Sequence, residues 1–324
     1  MELPFITLDV FTDRTFGGNP LGVFPNATHL PADVMQRIAL EMNLSETVFL
    51  GPPETAAGTA RVRIFTPRRE VPFAGHPTVG SAIFLAGELS NESGTGDGWP
   101  SAAVPDAPAD GEIRLVLEEN VGPVPVVVRF ENGRPVFAKF TTALLPEHRS
   151  NPHPLADVAA LVGLEEADIG SAGPGGSELG IEQVSCGLEY FIIPVRTVDA
   201  VRRSSLDTAR WQRMLADEWA HHVYVVAMEA EGDGVDVHVR MYAPGSGVAE
   251  DPATGSAAAA LGGYLSAAEG SENASLAWVV EQGIEMGRPS ILHVEADRRG
   301  GTTSAVRVGG GAIRVSRGIM DIPS

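Results

Sequence analysis

The stretch Val239–Ala268, VRMYAPGSGVAEDPATGSAAAALGGYLSAA, decides how the rest of the chain can be organised. It starts as a β-branched and aromatic run, turns at Pro244, supplies an acid at Asp251, and continues as an Ala-rich helix. Thr254 is a plausible N-cap for that helix. Because the first N–H groups of a helix have no partner within it, an acid beside them indicates an anion site with a carboxylate next to it.

The same plan occurs earlier in the chain, in Val62–Gly87, VRIFTPRREVPFAGHPTVGSAIFLAG. Both copies read Val-Arg-hydrophobic-aromatic-x-Pro, followed by about ten residues of loop and a small-residue helix. Arg63 and Arg240 are 177 positions apart (240 − 63), and Thr78 and Thr254 are 176 apart (254 − 78). A single repeat at this spacing indicates a duplicated domain rather than a solenoid. We therefore expect two similar α+β halves that face each other across a cleft.

Composition restricts the classes of protein that these halves can form. The 324 residues suffice for about two domains, with 44% hydrophobic and 20% charged residues. A net charge of −19 argues against binding to nucleic acid or anionic membranes. No apolar run approaches the length of a membrane span, and the first residues lack a basic signal-peptide region, so we expect a cytoplasmic protein. The single cysteine, Cys186, excludes a disulfide framework and a Cys-based zinc site.

Hydrophobic periodicity predicts a similar series of elements in each half. The N-terminal half is expected at 1–122, to which a C-terminal strand at about 311–324 could return, and the C-terminal half at 123–310. A Gly-, Ser- and Pro-rich stretch at 88–111 indicates a long loop or insertion. The predicted helices are 31–42, 78–86, 154–162, 207–220 and 256–268, and the predicted strands include 5–11, 60–66, 112–117, 124–130, 136–140, 189–195, 223–228, 235–242, 278–281, 290–295, 305–308 and 312–319.

Three acid/base candidates lie where a strand or loop meets a helix start: Glu46, His76 and Asp251. Such positions direct side chains into clefts. The 176-residue offset pairs Glu46 with His222 and places His76 opposite Pro252, beside Asp251. Each candidate also has a purely structural interpretation, as an edge-strand acid, a loop histidine bonded to a carbonyl, and a turn initiator respectively.

Asn19 and Ser256 also have a structural interpretation, and the sequence contains no cofactor motif. Asn19, in GGNP, is typical of a turn, and Ser256 is typical of a helix start. No GxGxxG or GxxxxGK[ST] motif, metal-ligand cluster or lysine placed for a Schiff base occurs. We therefore expect no cofactor and no metal.

Five ordered motifs resemble the PhzF-like family of phenazine-biosynthesis isomerases. They are GGNPLGVF (17–24), SETVF (45–49), FAGHPTVGSA (73–82), EDPATGSAAAAL (250–261) and QGIEMGRPS (282–290). The resemblance implies the fold of diaminopimelate epimerase, in which each of two similar halves is a mixed sheet wrapped around a central helix and the site lies between them. It also implies a homodimer.

The same resemblance implies a set of site residues. The Glu of SET, the His of GHP and the Asp of DPATGSA, which are Glu46, His76 and Asp251 here, are the family's acid/base residues. Related racemases use two opposed cysteines at the helix mouths, where this chain has Gly75 and Asp251, so a two-thiol epimerase mechanism is excluded. The substrate-binding residues that we expect are Asn19, Gly75, Thr78, Gly255 and Ser256, with the helix-start N–H groups binding the substrate carboxylate.

The activity implied by the resemblance is a cofactor-free proton shift on a small anionic amino or hydroxy acid. In the phenazine enzyme the substrate is trans-2,3-dihydro-3-hydroxyanthranilate, a proton moves from C3 to C1, and tautomerisation gives a ketone. Glu46 would carry the proton, while His76 and Asp251 would hold the hydroxyl and amino groups. Two alternatives are a non-catalytic relative that binds a small ligand or a protein, and a racemase that uses carboxylates in place of thiols.

Overall fold

The computed structural model describes residues 1–89 and 108–322. The chain forms two compact units, Met1–Ala143 with Gly309–Ser324, and Leu144–Val308. The first unit extends past the predicted boundary at residue 122 because the two strands that follow continue its sheet. The predicted loop at 88–111 lies largely outside the described residues, since only its two ends, 88–89 and 108–111, are described.

In the part of the chain that the structure describes, the first unit is a mixed sheet with two helices. Its strands pair in the order β20-β1-β2-β3-β4-β6-β7-β8, with the short β5 added to β4. Two of these pairs are parallel, β2 with β3 and β4 with β6. The elements are β1 (Glu2–Val10), β2 (Asn19–Phe24), α1 (Ala32–Met42), β3 (Glu46–Gly51), β4 (Ala60–Phe65), β5 (Glu70–Val71), α2 (Gly75–Leu89), β6 (Gly111–Glu119), β7 (Gly122–Glu131), β8 (Arg134–Thr141) and β20 (Ala312–Asp321).

The second unit repeats this plan. Its strands pair in the order β9-β12-β13-β14-β15-β17-β18, with β16 added to β15, and again two pairs are parallel, β13 with β14 and β15 with β17. The elements are β9 (Glu147–Ser150), α3 (Leu155–Leu161), β10 (Ser171–Ala172), β11 (Glu178–Leu179), β12 (Glu182–Ser185), β13 (Glu189–Val195), α4 (Val198–Arg203), α5 (Thr208–Met214), β14 (His222–Ala227), β15 (Val237–Ala243), β16 (Val248–Asp251), α6 (Gly255–Glu269), β17 (Ala274–Gln282), β18 (Ser290–Arg299) and β19 (Thr302–Gly310).

Each unit is built around one buried helix, α2 or α6. Helix α2 packs against β1, β2, β3, β6, β7, β8 and β20, and α6 packs against β12, β13, β17 and β18. Close packing explains the Gly pair in α6: a Cβ on Gly262 would lie 2.6 Å from a methyl group of Val294, and one on Gly263 would lie 2.6 Å from the ring of Pro146. The prediction of central helices enclosed by strands is therefore confirmed within each unit.

An ion pair that occurs in both units shows how the two copies correspond. Arg63 binds Glu70 through two hydrogen bonds, and Arg240 binds Glu250 in the same way. The two pairs span 7 and 10 residues, because a 3-10 turn at Pro244–Ser246 lengthens the second loop.

Because the second loop is longer, the residues at the starts of the two central helices correspond differently from the prediction. Helices α2 and α6 begin at Gly75 and Gly255, which are 180 positions apart (255 − 75). The structural counterpart of His76 is therefore Ser256, rather than Pro252 as the 176-residue offset predicts. The offset holds only before this loop, where β3 and β14 start at Glu46 and His222 (222 − 46 = 176).

Several element predictions need smaller corrections. The helix predicted at 207–220 ends at Met214. Residues 170–180, for which no element was predicted, contain the hairpin of β10 and β11. The strands β9 and β12, which pair with each other, were not predicted because each has only four residues. Among the described residues, no helix is long and apolar enough to cross a membrane.

Candidate active site

In the first unit, Glu46 is positioned by the start of β3. The preceding residue, Ser45, donates its hydroxyl to the Oδ1 of Asn19 at 2.7 Å, and Asn19 is fully buried at the start of the neighbouring strand β2. The parallel pairing places Leu21 opposite Glu46. Asn19 was predicted to bind substrate. In the structure, its side chain binds Ser45 and so holds the backbone next to Glu46.

His76 is the second acid/base candidate that the structure brings to this point. Its Nδ1 lies 3.5 Å from an oxygen of Glu46, although the two residues are 30 positions apart (76 − 46). The ring is buried, and burial lowers the pKa of His76 to about 3, so the imidazole is neutral at physiological pH. Its Nε2 is buried and has no hydrogen-bond partner in the described part of the chain, so its hydrogen-bonding capacity is unused by these residues.

The start of α2 supplies backbone donors next to His76. The first helical hydrogen bond runs from the N–H of Thr78 to the carbonyl of Ala74, so the N–H groups of Gly75 and His76 precede it. Pro77 has no N–H. The predicted role of Thr78 at the helix start needs correction, because Thr78 lies within the first turn and its own N–H is already bonded to Ala74.

In the second unit, Asp251 is held at the mouth of α6. It is buried at the end of β16, and its carboxylate accepts the hydroxyl of Thr254. Gln282, at the end of β17, donates its amide to the Asp251 carbonyl at 2.7 Å and to the Thr254 hydroxyl at 3.0 Å. Thr254 is the N-cap residue, as predicted, but its side chain bonds to Asp251 instead of capping the helix.

The start of α6 has donors like those of α2. The first helical hydrogen bond joins the N–H of Ala258 to the carbonyl of Thr254, so the N–H groups of Gly255 and Ser256 precede it. The Ser256 hydroxyl lies 2.6 Å from the hydroxyl of Tyr190. In the second unit, therefore, a carboxylate lies near the first N–H groups of a helix, a kind of position that attracts anions.

An aromatic group beside Ser256 was not predicted. The ring of Tyr190 lies 5.5 Å from the His222 ring and 6.3 Å from the Tyr224 ring, measured between centroids. The Tyr224 hydroxyl is buried and has no partner among the residues that the structure describes, and burial raises the pKa of Tyr224 well above its usual value. The sequence signal is weak, because Tyr190 and Tyr224 lie in strands where aromatic residues are common.

Cys186 lies outside both helix mouths. It is buried, its thiol contacts the carbonyl of Ala259 at 3.5 Å, and burial raises its pKa to about 12. A thiol in this state is a poor base or nucleophile. Its position agrees with the exclusion of a two-thiol mechanism.

Comparisons with known proteins agree with this architecture. The family model described as phenazine biosynthesis-like protein matches residues 8–318. An uncharacterized isomerase of Mesorhizobium japonicum is 40% identical over 322 residues, which cover 98% of each chain. The trans-2,3-dihydro-3-hydroxyanthranilate isomerase of Pseudomonas aeruginosa is 32% identical over 315 residues, which cover 97% of this chain and 98% of that one.

A solved structure supports the predicted fold. The phenazine biosynthesis protein of the PhzF family from Bacillus anthracis has a TM-score of 0.83 and 23% identity, and the match covers 99% of this chain and 100% of that one. The predicted class, α+β with diaminopimelate epimerase-like architecture, is confirmed. From its motifs, its fold and its relatives, the chain belongs to the phenazine biosynthesis-like family and is one of the family's isomerases.

Proposed function

We propose that this isomerase moves a proton, without a cofactor, within a small cyclic or unsaturated amino or hydroxy acid such as trans-2,3-dihydro-3-hydroxyanthranilate. The observation that carries the proposal is the contact between Glu46 and a buried, neutral His76 at the start of α2, where the N–H groups of Gly75 and His76 precede the first helical hydrogen bond. The substrate in the name of the Pseudomonas aeruginosa relative belongs to this class.

Glu46 is the residue that carries the proton in this proposal. Its side chain is 19% exposed, whereas that of His76 is 4% exposed, so of the two Glu46 is the more accessible to a ligand. A carboxylate can remove a proton from carbon and return it to another carbon of the same molecule. His76 is a poor base because its pKa is about 3, and its neutral ring serves as a hydrogen-bond partner for a substrate hydroxyl or carbonyl.

The remaining predicted residues bind and polarise the substrate. Asp251 would accept a hydrogen bond from the substrate amino group and assist tautomerisation. N–H groups at a helix start would hold the carboxylate, because helix starts attract anions. Local donors of this kind are needed in a protein of net charge −19, whose overall field repels anions.

The test is proton NMR in deuterated water with trans-2,3-dihydro-3-hydroxyanthranilate, using wild type, Glu46→Gln and Asp251→Asn. We expect wild type to convert the substrate, Glu46→Gln to lose at least about 10³-fold of the rate, and Asp251→Asn to lose a smaller factor. The exposed Glu41→Gln is the matched control for Glu46→Gln, because it lies four residues before Ser45 and makes the same change in charge.

Two results would contradict the proposal. Equal turnover by wild type and Glu46→Gln would remove Glu46 as the proton carrier. Exchange of the Cα hydrogen of amino acids with deuterium, without any isomerised product, would indicate a carboxylate-based racemase instead. If wild type turns over neither kind of compound, the same assay is repeated with other cyclic and unsaturated amino acids.

A further inference from the structure

A second buried acid, Glu119, lies at the mouth of α2. It is the last residue of β6, it is 5% exposed, and its Oε1 lies 2.6 Å from the hydroxyl of Thr78 in the first turn of the helix. Its Oε2 is also buried and has no hydrogen-bond partner among the described residues. A buried carboxylate with one free oxygen would be costly, so its protonation state needs an explanation.

The hydrogen bonds around Thr78 determine where the protons must lie. The Thr78 hydroxyl is 2.8 Å from the carbonyl oxygen of Ala74 and 2.6 Å from Glu119. A threonine hydroxyl has one proton, and a backbone carbonyl can only accept. If Thr78 donated to a Glu119 carboxylate, two acceptor oxygens would face each other at 2.8 Å without a proton between them. Both contacts are satisfied when Thr78 donates to Ala74 and a protonated Glu119 donates to Thr78.

The second unit has a neutral residue at the corresponding position. In the first unit, Glu118 pairs with Arg61 across the parallel strands, and Glu119 is the next residue. In the second unit, Glu281 pairs with His238 in the same way, and Gln282 is the next residue. Gln282 is therefore the counterpart of Glu119. Gln282 donates its amide to the hydroxyl of Thr254, which in turn donates to Asp251. In both units, therefore, the side chain that follows this strand position contacts a threonine near the start of the central helix, although Thr254 precedes α6 and Thr78 lies in the first turn of α2. Glutamine always has a donor for this contact, whereas glutamate has one only when protonated.

We propose that Glu119 is a protonated positioning residue, which donates a hydrogen bond to Thr78 and so holds the first turn of α2 in place for anion binding. Loss of its proton in alkaline solution removes this bond and leaves a negative charge beside the helix start. The consequence is weaker binding of an anionic substrate, seen as a rise in KM. This consequence rests on the proposed function, whereas the protonation state does not.

The charged and titratable groups around Glu119 are consistent with this state. Burial raises the pKa of Glu119 to about 8, against the smaller lowering effects of the Thr78 hydrogen bond and of Arg61 on β4. Arg61 is itself engaged by Glu54 and by the carbonyl of Glu118. In the first turn of α2 the titratable group is His76, two residues before Thr78, and it is neutral.

The first test reads the proton without any substrate. Carbon NMR of protein labelled at the glutamate carboxyl carbons is recorded from pH 5 to 10 for wild type and Glu119→Gln. We expect the resonance missing from Glu119→Gln to titrate at about pH 8 in wild type. If Glu119→Gln does not fold, Thr78→Val identifies the resonance, because loss of the hydroxyl shifts it. A Glu119 resonance that titrates near the ordinary glutamate value would overturn the proposal.

The second test separates positioning from packing. We expect Glu119→Gln to keep the wild-type kcat and KM at pH 7, and to abolish a rise in KM, about tenfold per pH unit, that wild type shows above pH 8. The matched control is Glu112→Gln, an exposed acid on the same strand, which should keep the wild-type pH profile. A KM for Glu119→Gln that is raised equally at every pH would contradict the role of the proton. If no substrate is turned over, the proposed function fails, and the NMR titration still decides the protonation of Glu119.

Discussion

Two buried histidines, His76 and His238, respond to burial in opposite ways because their neighbours differ. The 3.5 Å contact of His76 with Glu46 does not offset its burial, so its pKa falls to about 3. For His238, burial alone would also lower the pKa, but hydrogen bonds of 2.8 Å to Glu285 and 2.7 Å to Glu281 outweigh it and raise the pKa. Depth of burial is therefore an insufficient guide to the charge of a histidine.

The depressed pKa of His76 predicts a loss of stability in acid. Between pH 6.5 and about 3 the unfolded chain gains a proton at this position that the folded chain does not, so stability falls as the pH falls. His76→Gln should remove this contribution. We expect the unfolding free energy of wild type, relative to the variant, to drop by about 2 kcal/mol from pH 7 to pH 5, measured by urea titration. His29→Gln, at an exposed position, measures the effect of losing a surface histidine. If the difference in unfolding free energy between wild type and His76→Gln is the same at pH 7 and pH 5, His76 is protonated in the folded protein.

The raised pKa of His238 predicts the opposite dependence. The charged ring stabilises the fold at pH values below its ordinary value of 6.5, and this stabilisation is lost as the pH rises through the raised value. We expect His238→Gln to cost about 3 kcal/mol at pH 6, and less at high pH, in the same urea titrations. His148→Gln removes a more exposed contact with Glu182, and should cost under about 1 kcal/mol. A pH-independent cost for His238→Gln would indicate that only packing is lost.

At the scale of elements, the strand before each central helix is held by an arginine. Arg63 and Arg240 each bind a glutamate from the next short strand and lie over an aromatic ring, that of Phe65 at 5.3 Å and that of Tyr242 at 5.2 Å. The two copies differ in one respect. Arg240 also donates to the carbonyls of Ser204 and Arg202, at 2.6 and 3.1 Å, and so ties β15 to the end of α4.

This difference predicts unequal effects of the same substitution. Methionine retains much of the arginine stem, so Arg63→Met should lose mainly the Glu70 pair and cost about 1–2 kcal/mol. Arg240→Met should cost about twice as much, because two carbonyl oxygens also lose their donor. Thermal and denaturant unfolding of the two variants provide the comparison, and each serves as the control for the other. Equal costs would show that the bonds to α4 contribute nothing to stability.

At the scale of the whole molecule, the last strand of the chain pairs with the first. Strand β20, from the C-terminal end, pairs along β1 from Glu2 to Val10, and the N–H of Ile322 bonds to the carbonyl of Met1. The first unit is thus closed by two segments that are about 300 residues apart in sequence. The second unit is continuous in sequence, from Leu144 to Val308.

Removal of the C-terminal strand should therefore affect the two units differently. Deletion of residues 312–324 exposes the edge of β1, so we expect the first unit to lose most of its protection from hydrogen exchange. The second unit should retain protection within about tenfold of wild type. Mass-spectrometric exchange, resolved by peptide, measures both units in one sample. Equal loss in the two units would show that they unfold together.

Much of the fold was predictable from the sequence because it depends on local patterns. The small-residue helices, the strand before each of them and the repeat that relates them all appear as short motifs with regular periodicity. The same motifs contain Glu46, His76 and Asp251, and in the structure Glu46 and His76 contact each other within one unit. Four-residue strands such as β9 and β12 carry too little pattern to be predicted, since they form by pairing with each other across the unit.

The sequence alone determined the duplicated α+β architecture, the family and the identity of the acid/base candidates, because these depend on residue order and spacing. The tertiary structure decided the true correspondence of the two helix mouths, the neutral state of His76 and the presence of Glu119 beside Thr78. Those properties depend on loop length, on burial and on contacts between residues 41 positions apart in the chain. Burial sets the cost of a charge, and only the folded chain determines which groups are buried together.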